Sequence, residues 1–244
     1  MKLYVVGLGP GDAKYLTPQA AAALLESDVI AGYSVYIDLV RERYPQKQLL
    51  STPMRREEER CRLALEKAAQ GHTVSMVCSG DPGVYGMAGL LYELSKDYPP
   101  VDIEVVPGVT AACSGAALLG APLGHDFAVI SLSDLLTPWE TIEKRLAAAA
   151  AADFCICLYN PASKKRGDYL RKACEILLRH RAPENAAGLV RNIGRADESC
   201  AVMTLSELKD VEADMFTTVF IGNSHTRIQD GRLVTPRGYK VTES

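Results

Sequence analysis

The chain has 244 residues, 48% of them hydrophobic and 23% charged, with 27 Lys and Arg against 30 Asp and Glu and a formal net charge of −3. This length buries a large core in one large α/β domain or two smaller ones, and the near-neutral balance gives no electrostatic case for nucleic acid. There is no run of eighteen apolar residues, and a strand-like segment begins directly after Met1-Lys2, so the expectation is a cytoplasmic protein with no membrane span and no signal peptide.

In chain order, Leu3-Tyr4-Val5-Val6 reads as a short strand ending in Gly7-Leu8-Gly9-Pro10-Gly11-Asp12. A helix then starts at Thr17-Pro18, an N-cap followed by proline at the first helical position. Residues 29–31 read as a second strand, 35–44 as a helix, and 57–70 as a longer helix closed by Gly71. The apolar run 73–78 is a buried strand that hands over to a helix from Met87 through Ser79-Gly80-Asp81-Pro82-Gly83-Val84-Tyr85-Gly86. Strand 102–106 follows, then Pro107-Gly108-Val109-Thr110-Ala111 and a helix of small residues to Leu119. The breaker cluster Gly120-Ala121-Pro122-Leu123-Gly124 is the expected boundary between domains 1–122 and 123–244.

Beyond it the alternation resumes, with strands at 127–131, 154–159, 187–190, 200–204 and 215–221 and helices at 138–152 and 168–181. The alternation argues for α/β sheets. Seven cysteines are scattered without a C-x-x-C, and Cys155 and Cys157 share one strand face, which reads as reduced thiols packed in the core and no metal site.

Gly7-x-Gly9 after a first strand invites a dinucleotide reading, but Asp12 stands where a third glycine belongs, Pro10 removes a backbone donor, and the helix starts late. What remains is a set of three glycine turns, at Gly7, Gly80 and Gly108, each at the carboxyl end of a strand. If their strands are neighbours, the turns converge where open α/β sheets bind ligands, and helix N-termini there suit an anionic group. The competing reading is three unrelated turns.

G-L-G-P-G-D, S-G-D-P-G-V-Y-G and P-G-V-T-A, in this order, resemble the class III tetrapyrrole methyltransferases, and the likeness extends over the whole chain. Met54-Arg55-Arg56-Glu57, Gly124-His125-Asp126-Phe127, the run S-L-S-D-L-L-T-P-W from Ser131 to Trp139, Tyr159-Asn160-Pro161 and Thr235-Pro236-Arg237-Gly238-Tyr239 narrow it to the precorrin-3B and cobalt-factor III C(17)-methyltransferases of corrin-ring synthesis. The resemblance implies two α/β domains with S-adenosylmethionine in a cleft between them, S-adenosylhomocysteine as product, a homodimer, and a tetrapyrrole substrate methylated at C-17 with ring contraction. It places cofactor contacts at Pro10, Ser79, Gly80, Asp81, Val84, Thr110, Ala111, Tyr159, Asn160, Gly188 and Pro236. Readings kept beside it are a methyltransferase of the same fold acting at another position and a non-catalytic corrinoid-binding protein.

Contraction of the ring needs protons moved, and His125, Asp126 and Asp134, in the member-specific stretches, are the acid–base candidates. A substrate rich in carboxylates calls for arginines, with Arg55, Arg56 and Arg237 the candidates by motif. Arg60 and Arg62 read as a solvated helix face, and Lys164-Lys165-Arg166 as a surface loop.

Overall fold

The computed structural model describes residues 1–163 and 166–239. They form two compact units that divide between Ala111 and Ala112.

The first unit holds β1 (Lys2–Gly7), α1 (Pro18–Glu26), β2 (Val29–Tyr33), α2 (Ser34–Arg41), β3 (Gln48–Thr52), α3 (Glu57–Ala69), β4 (Thr73–Cys78), α4 (Ala88–Leu94) and β5 (Asp102–Val106). Its strands make one parallel sheet in the order β3-β2-β4-β1-β5. A parallel sheet must be covered on both faces, and the pleat sends alternate residues to each. Leu3, Val5, Val74 and Met76 pack under α3 and α4, while Tyr4, Val6, Ile30 and Val77 pack under α1 and α2. The Thr17 hydroxyl accepts from Ala20 N at 3.1 Å and Pro18 opens α1, so the helix begins where the sequence signals it. Gly71, at φ +95°, closes α3.

The second unit holds most of α5 (Ala111–Leu119), then β6 (Gly120–Ala121), β7 (Phe127–Ser131), α6 (Trp139–Ala151), β8 (Cys155–Tyr159), α7 (Tyr169–Leu177), β9 (Ala186–Arg191), β10 (Ser199–Thr204), α8 (Leu205–Leu208), β11 (Thr217–Ile221), β12 (Arg227–Gln229) and β13 (Arg232–Val234). The main sheet runs β10-β9-β11-β8-β7; β7 and β8 are parallel and the other neighbours antiparallel. Ile156, Leu158, Leu189 and Val219 form its core with Ile142 and Leu146 of α6 and Leu170 and Leu177 of α7.

The units divide at Ala111, eleven residues before the boundary expected from the breaker cluster. The reason is packing. Gly115 of α5 sits so close to Phe220 of β11 that a Cβ would lie 2.8 Å from the ring, and β6 pairs with β13. The breakers therefore turn the chain inside the second unit. The edge strand β3 and the β12–β13 hairpin lie outside the elements expected from the sequence. Asp230-Gly231, both at positive φ, is the hairpin turn signal that marks the latter.

Arg60 corrects a second expectation: it is 5% exposed, not solvated. It shares a helix face with the buried Ala64 and Ala68, four and eight residues on. Its guanidinium donates to Thr52 Oγ1 at 2.9 Å and Pro53 O at 3.1 Å and lies 5.8 Å from the Tyr33 ring centroid, pinning α3 to the end of β3. Arg62, by contrast, pairs at the surface with Glu58 and Asp97. Arg60→Leu leaves two acceptors without their donor and is expected to lower unfolding free energy by about 2–3 kcal/mol in a denaturant titration. Arg62→Leu is expected to change it by under about 0.5 kcal/mol.

Candidate functional site

The order β4-β1-β5 brings the three glycine turns together at the carboxyl ends of adjacent strands. Leu8 N donates to Cys78 O at 2.9 Å, and Gly9 and Gly80 exchange backbone hydrogen bonds, Gly80 N to Gly9 O at 2.7 Å and Gly9 N to Gly80 O at 3.2 Å. The third turn is pressed against the first two. A Cβ on Gly108 would lie 2.2 Å from the Gly80 carbonyl oxygen and 2.7 Å from Gly7 Cα. No residue with a side chain fits that crossing.

Gly80 is different. Its φ of +67° favours glycine, and a Cβ there would find nothing nearer than Thr110 Cα at 3.8 Å and Ala111 N at 3.9 Å. A Cβ there would sit at ordinary contact distance beside the start of α5, so the backbone conformation, and not crowding, calls for glycine. Asp81 ties the arrangement together, its carboxylate accepting from Gly83 N at 2.8 Å and from Gly108 N at 3.0 Å, in its own turn and across to the third. Pro10 is buried. Asp12 caps the short 3₁₀ turn Ala13–Tyr15 through Lys14 N at 2.8 Å, which delays α1. Ser79 and Val84 are half-buried in the second turn, as are Thr110 and Ala111 in the third. Tyr85 is 57% exposed and held at φ +54°, an unusual conformation for a bulky residue. A shallow surface pocket shares Leu8, Gly11 and Asp12 with the first turn, none of its lining residues coming from the second or third.

The structure sets Arg55 and Arg56 at the same end of the sheet, after β3, two strands away from β4. Arg55 is exposed, with φ +66°, and Arg56 lies 3.5 Å from Glu59 in a surface pair.

In the second unit, Tyr159 ends β8 and its hydroxyl accepts from Ala112 N at 2.7 Å, taking one of the amides at the start of α5. Asn160, at φ +53°, donates through Nδ2 to Ser131 Oγ at 2.9 Å, and Ser131 ends the neighbouring parallel strand β7. Asp134 accepts from Tyr169 Oη at 2.6 Å and pairs with Arg166 at 3.4 Å. The Tyr169 hydrogen bond holds the Asp134 carboxyl below the usual range, with Arg166 adding to the effect, and raises the Tyr169 phenol. Asp134 is therefore ionised at neutral pH and engaged on both sides. Of the run Lys164-Lys165-Arg166, the two lysines lie outside the described residues, and Arg166 turns inward, also donating to Ser133 Oγ at 2.7 Å.

His125 and Asp126 are exposed next to each other, Asp126 N donating to His125 Nδ1 at 3.0 Å. Arg237 Nη1 donates to Gly124 O at 3.4 Å, so these residues share one surface. Behind them the buried Thr235 hydroxyl donates to Pro122 O at 2.6 Å and lies 2.7 Å from Thr226 Oγ1; Pro236 is exposed. Gly188 sits within β9, not at its end, with Ala201 O and the side chains of Leu119 and Leu233 within 3.2 Å of where a Cβ would stand.

Residues 2–209 match the family model of the tetrapyrrole (corrin/porphyrin) methylases. The chain belongs to this family. It is 46% identical over 98% of its length to the whole of the probable cobalt-factor III C(17)-methyltransferase of Salmonella typhimurium. It is 45% identical to the precorrin-3B C(17)-methyltransferase of a Sinorhizobium species, covering 97% of this chain and 96% of that one. Among solved structures, the methyltransferase CobJ superposes with a TM-score of 0.89 at 39% identity, covering 96% of this chain and 99% of that one.

In this methylase burial pushes the thiols of Cys78 and Cys61 up, to about 11 and about 12, so they stay protonated and packed. Among the described residues no three His, Cys, Asp or Glu side chains group to hold a metal ion, and no helix is long and apolar enough to cross a membrane. Sequence reasoning did not single out Ser131, Arg166 or Tyr169 as site residues, because their contacts join positions about thirty apart and leave no local pattern.

Proposed function

We propose that this chain methylates C-17 of precorrin-3B or cobalt-factor III with contraction of the ring, as a cytoplasmic, homodimeric enzyme of cobalamin biosynthesis, using S-adenosylmethionine and releasing S-adenosylhomocysteine. The observation that carries the donor assignment is the crossing of three glycine turns at the carboxyl ends of adjacent strands, with Gly80 at φ +67° beside the start of α5, in a chain that matches two C(17)-methyltransferases along nearly all of its length. The residues that would hold the donor there are Pro10, Ser79, Gly80, Asp81, Val84, Thr110 and Ala111.

When bound, S-adenosylmethionine supplies a methyl group on a positively charged sulfur, already activated for transfer. The protein's part is then mainly positioning, which in well-oriented systems accounts for about 7–11 kcal/mol of a barrier. Gly7 and Gly108 let the turns close on one another, Gly80 takes the left-handed backbone the second turn needs, and Asp81 fixes the second turn to the third. Contraction also requires a proton donor or acceptor, and His125 and Asp126 are the candidates exposed to take that part. Arg55, Arg56 and Arg237 are the proposed carboxylate contacts.

Incubation of the chain with S-adenosylmethionine and either tetrapyrrole is expected to add one methyl to the macrocycle and release one S-adenosylhomocysteine, read by mass spectrometry. Macrocycle binding without turnover would point instead to a corrinoid-binding protein, and absence of both would overturn the reading.

A further inference from the structure

The segment between β7 and α6 is fixed at both ends and apolar at its tip. Leu132 is fully buried and its N–H donates to Tyr159 O at 2.9 Å. Trp139, at the other end, packs on the second unit's core and meets the Tyr169 ring at a tilt of 53°, centroids 4.6 Å apart. Between them Ser133 and Asp134 are engaged inward: Ser133 N donates to Ser131 Oγ at 3.2 Å, Arg166 donates to Ser133 Oγ, and Asp134 takes Tyr169 and Arg166. Leu135 and Leu136, in contrast, are 62% and 98% exposed.

A braced turn that holds two adjacent leucines in water has the character of a contact surface, since a freely chosen exposed turn carries polar residues. Its place in the fold says for what. β7 and β8 are the parallel pair of this sheet, and the segment leaves from their carboxyl ends, beside Asn160, where open α/β sheets take ligands. A tetrapyrrole is a broad conjugated ring whose charges sit on peripheral carboxylates, so two leucines match its face and not its rim.

We propose that residues 133–138 are the acceptor-recognition element of the second unit: Leu135 and Leu136 pack on the face of the macrocycle, and Asp134, Tyr169 and Arg166 hold them there. Asp134 is on this account a positioning residue and not the acid or base. The inference rests on the tetrapyrrole reading above.

Steady-state kinetics with cobalt-factor III, together with calorimetry of S-adenosylhomocysteine, test it. Leu135→Ser with Leu136→Ser removes two exposed side chains, so the fold is retained, and should raise KM for the macrocycle about tenfold or more while leaving donor affinity unchanged. Asp134→Asn and Tyr169→Phe should each raise the same KM severalfold with kcat kept, and the double variant should be no worse than the poorer single one, because both break one brace. An unchanged KM in the leucine variant of an enzyme that turns over cobalt-factor III overturns the proposal. So does conversion of that variant from dimer to monomer with macrocycle binding intact, which would make the leucines a contact between copies. A fall of 10²–10⁴-fold in kcat for Asp134→Asn, with Tyr169→Phe silent, would return Asp134 to acid–base catalysis. If the wild-type chain does not turn over the macrocycle at all, the failure lies with the functional reading itself.

Discussion

Gly80→Val is expected to abolish measurable S-adenosylhomocysteine binding, a loss of at least about a hundredfold, or roughly 2.7 kcal/mol. The side chain would project beside Thr110 and Ala111, where the donor is proposed to lie; the φ of +67°, which strains a β-branched residue by about 1–3 kcal/mol, acts separately on the stability of the fold. Calorimetry on the folded variant reads the loss, with circular dichroism to confirm the fold. No atom crowds the added Cβ, but the φ of +67° strains the variant whatever the space, so its fold is confirmed before its affinity is read. Affinity unchanged from wild type would reduce the second turn to a connection between β4 and α4.

Gly108→Ala is expected to act differently, through the fold. A single methyl there meets the Gly80 carbonyl oxygen at 2.2 Å and Gly7 Cα at 2.7 Å, both backbone atoms that have no rotamer to escape into. The turns must separate, and with them the Asp81 bridge to Gly108 N. Overpacking of this kind typically costs about 1–3 kcal/mol, and a denaturant titration should show a loss in the upper part of that range together with loss of donor binding. Gly80→Val loses binding with the smaller change in stability, whereas Gly108→Ala loses both. A Gly108→Ala protein as stable as wild type would mean that the crossing is looser than described.

The two glycines also show what a sequence can carry. Each turn was legible alone, because glycine and proline at the end of an apolar run are local punctuation. Their meeting depends on β4, β1 and β5 lying side by side, an order that no local pattern encodes. Arg60 escaped for a related reason: three glutamates and two arginines in six residues look solvated, and only the Ala64 and Ala68 spacing shows that one arginine faces inward. The domain boundary moved because Gly115 is small for the sake of Phe220, a partner more than a hundred residues away. Asp134 was visible as a distinctive acid, but its partner Tyr169 is thirty-five positions on, so the hydrogen bond that engages its carboxylate could be read only in three dimensions.

The most direct test of the account is the position of the transferred methyl. With S-adenosylmethionine carrying a ¹³C-methyl group and cobalt-factor III as acceptor, the carbon spectrum of the product is expected to show the label on C-17 of a contracted ring. Label at another ring carbon, or on C-17 of a macrocycle that keeps its original size, would contradict it.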